Sequence, residues 1–78
     1  MGIFGKTEEV QGRIIIKRFG ISKGSAHLIY PEYFMTIELD NKERIEYQCN
    51  GRESGLFAEN DRVVLTHKNG WIQTIKLV

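Results

Sequence analysis

The sequence predicts an all-β fold, built as a small barrel of five strands. Alternation of apolar and polar side chains, with many β-branched and aromatic residues, recurs in five segments separated by turn-forming residues. No segment shows a convincing helical period, and no internal repeat is present. Seventy-eight residues suit one small domain. We place that domain at residues 10–78, behind an N-terminal tail of residues 1–9.

The first strand is predicted at Val10–Phe19, with Gly12 as a bending point. Its apolar side chains divide between two faces, with Val10, Ile14 and Ile16 on one and Ile15 and Phe19 on the other. Gly20–Glu32 then contains two glycines, two serines and the only proline. We therefore predict a long loop there, with room for a short strand at His27–Tyr30.

The second and third strands are predicted at Tyr33–Leu39 and Arg44–Cys49, on either side of a polar turn at Asp40–Glu43. Their apolar side chains share one face of the hairpin: Tyr33, Met35, Ile37, Leu39, Ile45, Tyr47 and Cys49. Because this face is continuous, we expect it to form part of the inner wall of the barrel.

The connector Asn50–Asp61 separates this hairpin from the last two strands, Arg62–His67 and Trp71–Leu77. Within it, residues 56–58 are expected to form one helical turn that caps an end of the barrel. The last two strands are joined through Asn69 and Gly70, the strongest short signal for a tight hairpin.

The four connections therefore run long, tight, medium with a helical turn, and tight. This order is typical of the OB fold, a five-stranded barrel. An SH3-like barrel is the alternative, because it also has a long first loop. It would place its helical turn before the last strand, where this chain has the Asn-Gly hairpin, so we predict the OB-like topology.

Three stretches carry a resemblance to a known family: IIIKRF, YFMTIELDNKERIEYQC and GLFAENDRVVLTHKNG. Over about Val10–Gly70 they resemble an uncharacterised bacterial family typified by the inner-membrane protein YhhM. The resemblance implies a small β-barrel and no particular activity, since the function of that family is unknown. Its members carry a transmembrane helix ahead of the barrel, whereas no apolar run here approaches the ~20 residues of a membrane span. Asn60 stands where the family favours glycine before Asp61.

The residues that carry chemistry are sparse and scattered. No serine or cysteine lies in a nucleophile motif, His27, His67 and Cys49 share no metal-ligand spacing, and no phosphate-binding loop is present. We therefore predict no enzymatic activity, no metal and no cofactor. A single cysteine cannot form an internal disulfide, which fits a reducing compartment and a cytoplasmic location. We expect Cys49 to be a small buried hydrophobe.

The net charge of +1 combines a basic start and end with an acidic middle. Residues 1–31 sum to +3, residues 32–61 to −5 and residues 62–78 to +3. A dedicated DNA-binding domain would be more strongly basic. Glu38 and Glu46 are expected to form a solvated cross-strand charge ladder with Arg44.

We predict a non-enzymatic interaction module that binds a protein partner or a second copy of itself through an outer barrel face or a strand edge. The alternative is weak binding of single-stranded nucleic acid on the face of the second and third strands. The candidate binding residues are Lys17, Phe19, Lys23, Tyr30, Phe34, Arg44 and Trp71. Phe19 and Phe34 are also compatible with a small cluster beneath the long loop, and Trp71 with a core-closing position.

Overall fold

The computed structural model describes residues 6–23 and 28–78. Residues 1–5 of the predicted tail, and His27 of the predicted short strand, lie outside the described residues. Five strands and one helix follow one another along the chain: β1 (Glu8–Lys23), β2 (Ile29–Leu39), β3 (Arg44–Cys49), α1 (Gly51–Leu56), β4 (Arg62–Lys68) and β5 (Trp71–Leu77). The prediction of an all-β chain is confirmed. The third and fifth strands have the predicted bounds, and the fourth ends one residue later than predicted.

The five strands form one closed sheet in the order β1-β2-β3-β5-β4. Four of the pairings are antiparallel, and β1 closes the sheet by pairing with β4 over Glu8–Arg13. The fifth pairing is parallel and joins β3 to β5 at Gln48 and Trp71. The Gln48 amide also donates to the carbonyl of Gly70 at 2.8 Å. The closure between β3 and β5 is therefore short.

The core lies inside the closed sheet, and every strand contributes to it. Its buried residues are Ile14, Met35, Ile37, Tyr47, Cys49, Val63, Leu65 and Ile72. The predicted inward face of the second and third strands is confirmed, with Tyr33, Leu39 and Ile45 packed at its margins. Gly12 is required for close packing, since a Cβ there would collide with the Glu38 carbonyl.

A β-bulge in β1 changes which side chains point inward. Ile14 pairs with Ile37, but the next paired residue is Ile16, opposite Thr36. The extra residue reverses the alternation, and Ile16 is 48% exposed. The prediction that Ile14 and Ile16 share a face is therefore wrong. At the bulge the backbone of Ile14 leaves β4 and bonds the loop before it, donating to Asp61 and accepting from Asn60.

The predicted long loop at Gly20–Glu32 is wrong at both of its ends, and residues 24–27 of it lie outside the described residues. β1 continues to Lys23 and β2 begins at Ile29, because Ile21, Ile29 and Pro31 extend the two-residue alternation across the glycine and the proline. We call Phe19–Lys23 together with Ile29–Tyr33 the β1–β2 ribbon. β1 pairs with β4 only as far as Arg13, and β2 pairs with β3 only from Tyr33 onward. Apart from Tyr33, the ribbon residues therefore pair only with each other.

The helical turn in the connector forms earlier than predicted, at Gly51–Leu56 rather than at residues 56–58. Asn50 starts it with a capping box, in which its side chain accepts from the Glu53 amide at 2.7 Å and the Glu53 carboxylate accepts from the Asn50 amide. Phe57 follows the helix and packs against the core. This helix occupies the first half of the connector between β3 and β4.

The turn residues adopt the backbone conformations that their residue types favour. Asn69 and Gly70 both have positive φ, 54° and 84°, as the predicted hairpin requires. Asn60, at φ 80°, takes the same left-handed region ahead of Asp61. Asparagine tolerates this conformation better than other residues that carry a Cβ.

Candidate interaction surface

The β1–β2 ribbon has one apolar face. Its cross-strand pairs are Phe19 with Tyr33, Ile21 with Pro31, and Lys23 with Ile29. Because side chains alternate along a strand, these six paired positions lie on the face that continues from core residue Met35, and all but Lys23 are apolar or aromatic: Phe19, Ile21, Ile29, Pro31 and Tyr33. Phe19 is 58% exposed, and Ile21 and Ile29 are each 62% exposed. We call these five residues the apolar ribbon face.

The base of this face is tied to helix α1. The rings of Phe19 and Tyr33 lie 5.2 Å apart at a tilt of 58°. Tyr33 in turn packs on Gly51, where a Cβ would stand 2.9 Å from its ring. The apolar ribbon face is therefore anchored on the body of the protein at one end and increasingly exposed away from it.

Lys17 lies below the ribbon, and its ammonium group binds the end of the helix. Its Nζ donates to the carbonyl oxygens of Ser54 at 2.7 Å and Phe57 at 2.8 Å. A cation there satisfies carbonyls that the helix leaves without partners and opposes the negative end of its dipole. The sequence predicted Lys17 in a binding patch instead. Its partners Ser54 and Phe57 lie 37 and 40 positions further along the chain, and no local pattern links them to it.

The opposite face of β1, β2 and β3 is polar, and several of its charges are paired. Arg18 lies over the Phe34 ring, 4.2 Å from its centroid, and donates to both carboxylate oxygens of Glu46 at 3.0 and 2.9 Å. The hydrogen bond with Glu46 raises the pKa of Arg18, and the same bond lowers the pKa of Glu46. This bidentate pair crosses from β1 to β3 above the aromatic ring.

Two further contacts extend this polar face. Arg44 donates to Glu38 at 3.3 Å, and Gln48 donates to Glu32 at 3.3 Å. The predicted cross-strand charge ladder is confirmed for Arg44 and Glu38. Glu46 has a different partner from the one predicted, because Arg18 reaches it from β1.

The seven candidate binding residues do not form one patch. Phe19 lies on the apolar ribbon face, whereas Phe34 and Tyr30 lie on the opposite side of the sheet. The predicted cluster that joins Phe19 to Phe34 is therefore wrong, since their positions alternate along the paired strands. Tyr30 is 49% exposed and pairs with Ser22. Lys23 ends β1.

Trp71 lies at the start of β5 and is 47% exposed, so the core-closing alternative is wrong. Its neighbour Ile72 takes the core position. In register across the sheet, Arg18 pairs with Phe34, Phe34 with Gln48, and Gln48 with Trp71. We call these four residues the outer row. Sequence reasoning did not identify this row, because the β3–β5 pairing is non-local.

Cys49 is a buried core residue, as predicted. Burial raises the pKa of its thiol to about 11, while Glu53 adds a smaller increase and Lys17 a smaller decrease. The thiol is therefore protonated at neutral pH and a weak nucleophile. Across residues 6–23 and 28–78, no three histidine, cysteine or acidic side chains come together as a metal-binding group.

His67 closes the core at the end of β4. Its ring contacts the Tyr47 ring at a tilt of 45°, with centroids 4.6 Å apart, and its Nε2 lies 3.9 Å from a Glu8 carboxylate oxygen. Burial raises the pKa of the Tyr47 phenol, and Glu8 and Glu43 add to the effect. In this position His67 packs as an aromatic residue of the core margin.

Comparisons with protein-family models, with curated proteins and with solved structures return no match. The resemblance to the YhhM family therefore stays a prediction. In the part of the chain that the structure describes, no helix combines the length and the hydrophobicity needed to cross a membrane.

Proposed function

We propose that this protein is an OB-like, non-enzymatic interaction module of the cytoplasm that binds a protein partner through the apolar ribbon face. The observation that carries the proposal is the exposure of Phe19, Ile21 and Ile29, each more than half accessible on one face of two paired strands. Contiguous apolar surface of this kind marks interaction sites. The OB-like assignment is supported by the closed strand order, the parallel β3–β5 contact and the helix between β3 and β4.

The composition of the apolar ribbon face favours a protein as the ligand. None of its five residues carries a charge, Lys23 is the one charged residue in register with them, and an aromatic pair stands at its base. Protein interfaces are depleted in charge at their centre and enriched in aromatic side chains. A nucleic acid or an anionic metabolite would instead require exposed cations on that face.

The test is quantitative affinity capture from a native lysate with three versions of the protein. Ile21→Glu places a charge on the apolar ribbon face, and Ser22→Glu places the same charge on the adjacent residue of the opposite face. We expect the wild type and Ser22→Glu to retain the same specific partner and Ile21→Glu to lose it. A partner retained equally by all three would show that another surface binds it.

Weak binding of single-stranded nucleic acid is the second candidate, and the outer row is the observation that favours it. Phe34 and Trp71 lie in register on the outer face of the sheet, where an OB-like barrel binds bases by stacking. Two arginines of this face are already paired, however, with Arg18 bound to Glu46 and Arg44 bound to Glu38. Paired cations release few counterions on binding phosphate, so any affinity would be low.

A titration of labelled oligonucleotides at low and moderate salt tests this second candidate. Binding that weakens with salt and is lost in Trp71→Ala and Phe34→Ala would support it. Flat titrations of the wild type at low salt would remove it.

A further inference from the structure

We propose that the occupant of the apolar ribbon face is a second copy of this chain, with the two ribbons packed face to face about a two-fold axis. This inference rests on the proposed function and names the partner of the same surface. Two-fold dimers are the commonest protein assemblies, and their interfaces bring one surface patch against itself.

The first argument is that the apolar ribbon face is chemically self-complementary. When it meets itself, its five residues place no charge against another, and the one charged residue in register with them is Lys23, at the end of β1 farthest from the body. The strand alternation directs Ser22, Tyr30 and Glu32 to the other side, where Glu32 accepts from Gln48. The ribbon therefore presents an apolar layer to the second copy and leaves its polar layer in water, as in two packed sheets.

The second argument is that the charge at the base of the ribbon is paired and the net charge of the chain is small. Arg18, at its base, is neutralised by Glu46 at 2.9 Å on the side away from the apolar ribbon face. The net charge of the whole chain is only +1. Long-range repulsion between two copies is therefore weak.

The third argument is the area available. A half-exposed apolar side chain presents roughly 100 Å². Phe19, Ile21, Ile29 and Pro31 would together bury roughly 400 Å² in each copy, and a dimer roughly 800 Å² of apolar surface before backbone and rim atoms are added. Specific interfaces begin at about 1,000 Å² in total. We therefore expect a reversible dimer with a dissociation constant on the order of micromolar rather than a permanent one.

Sedimentation velocity over a concentration series from about 1 to about 500 μM, which brackets that constant, tests the proposal. The wild type is expected to shift from the monomer to the dimer as its concentration rises. Ile21→Glu would bury an unpaired carboxylate at the centre of the contact, so we expect its dissociation constant to rise by about 100-fold or more. Ser22→Glu is the matched control and is expected to dimerise like the wild type. Circular dichroism and the thermal midpoint verify that both variants fold.

A cross-linking experiment supports the test without a charged variant. We expect Ile21→Cys to form an intermolecular disulfide under mild oxidation, and Ser22→Cys to form little, because only residue 21 faces the second copy. The native Cys49 is buried in both variants.

The sedimentation results distinguish the dimer from its alternatives. A wild type that stays monomeric throughout the series overturns the dimer, as does an Ile21→Glu variant that dimerises normally. If the wild type is monomeric and Ile21→Glu still loses a partner in affinity capture, the dimer is wrong and the proposed function stands. If Ile3→Ser with Phe4→Ser abolishes dimerisation and Ile21→Glu does not, the N-terminal segment provides the contact instead.

Discussion

The closed body and the β1–β2 ribbon are built from the same strands, but they use their inward face differently. In the body, Met35 and Ile37 of β2 are fully buried by the other strands. Four to eight residues earlier in the same strand and on the same face, Ile29 and Pro31 pair with β1 but not with β3. Continuing a core pattern beyond the core thus creates an exposed apolar face, and this contrast is the physical basis of the proposed function.

The largest expected difference between the two regions is in stability. Ile37→Ala removes a buried side chain from the middle of the core, so we expect the free energy of unfolding to fall by about 3 kcal/mol. Ile29→Ala makes the same chemical change in the ribbon, where the side chain is 62% exposed, and is expected to cost less than about 0.5 kcal/mol in the monomer.

Urea unfolding followed by circular dichroism, at a protein concentration below the dimer range, measures both values. Equal losses would contradict the comparison, since they would mean that the ribbon is as well packed as the body.

The next prediction concerns the junction between ribbon and body. Lys17→Met keeps the aliphatic stem and removes the ammonium that binds the carbonyls of Ser54 and Phe57. We expect the free energy of unfolding to fall by about 1–2 kcal/mol, because two part-buried carbonyls lose a charged donor. Amide hydrogen exchange should accelerate within Gly51–Leu56 in particular.

Lys76→Met, at an exposed position of β5, is the matched control and is expected to change stability little. A Lys17→Met variant with unchanged hydrogen exchange in α1 would show that the ammonium does not hold the helix.

Features of this fold that depend on local sequence could be predicted, and features that depend on distant pairing could not. The tight hairpins and the inward face of β2 and β3 depend on local alternation and turn residues, and they were predictable. The bulge after Ile14 was not, since it arises where β1 exchanges β4 for the loop at Asn60 and Asp61. The extension of the ribbon to Lys23 was missed because Gly20 and Pro31 indicate a loop when their pairing partners are unknown.

The candidate site was less predictable than the fold, for the same physical reason. Phe19, Phe34 and Tyr30 were recognised as candidates, but which of them share a face depends on the β1–β2 register. The partners of Lys17 and Arg18 lie 28 to 40 positions away in sequence. Only the closed sheet brings them together.

Thiol chemistry offers a third comparison of the two regions. Burial raises the pKa of Cys49 to about 11, so its alkylation near pH 8 should be much slower in the folded protein than after unfolding. A cysteine introduced in the ribbon by Ile21→Cys should react close to the rate of an exposed thiol in the monomer. Mass spectrometry after timed iodoacetamide treatment measures both rates.

The same pKa predicts how stability depends on pH. Between the ordinary thiol value of 9.0 and about 11, the folded state retains a proton that the unfolded state has lost. The contribution of Cys49 to stability is therefore complete below about pH 9 and is lost as the pH rises toward 11. Cys49→Ala should flatten this part of the stability profile, while the raised pKa of Tyr47 leaves a residual slope. An unchanged profile in Cys49→Ala would contradict the assignment.

The smallest expected effect lies on the outer face at the base of the ribbon. The Arg18–Glu46 pair is largely solvent-exposed, so its removal should change stability only slightly. The measurable effect of the pair is instead on the pKa of Glu46, which the hydrogen bond from Arg18 holds below its ordinary value of 4.5. Because the folded-state pKa is lowered, the contribution of the pair is present at neutral pH and is lost as the pH falls from that value through the lowered pKa.

An NMR titration of the Glu46 side chain measures this shift directly. In Arg18→Gln the pKa of Glu46 should return toward its ordinary value, whereas Arg44→Gln, which removes the partner of Glu38, should leave it unchanged. A Glu46 pKa that does not respond to Arg18→Gln would mean that the guanidinium is free in solution. The outer row would then carry an available cation beside Phe34, which would strengthen the nucleic-acid alternative relative to the apolar ribbon face.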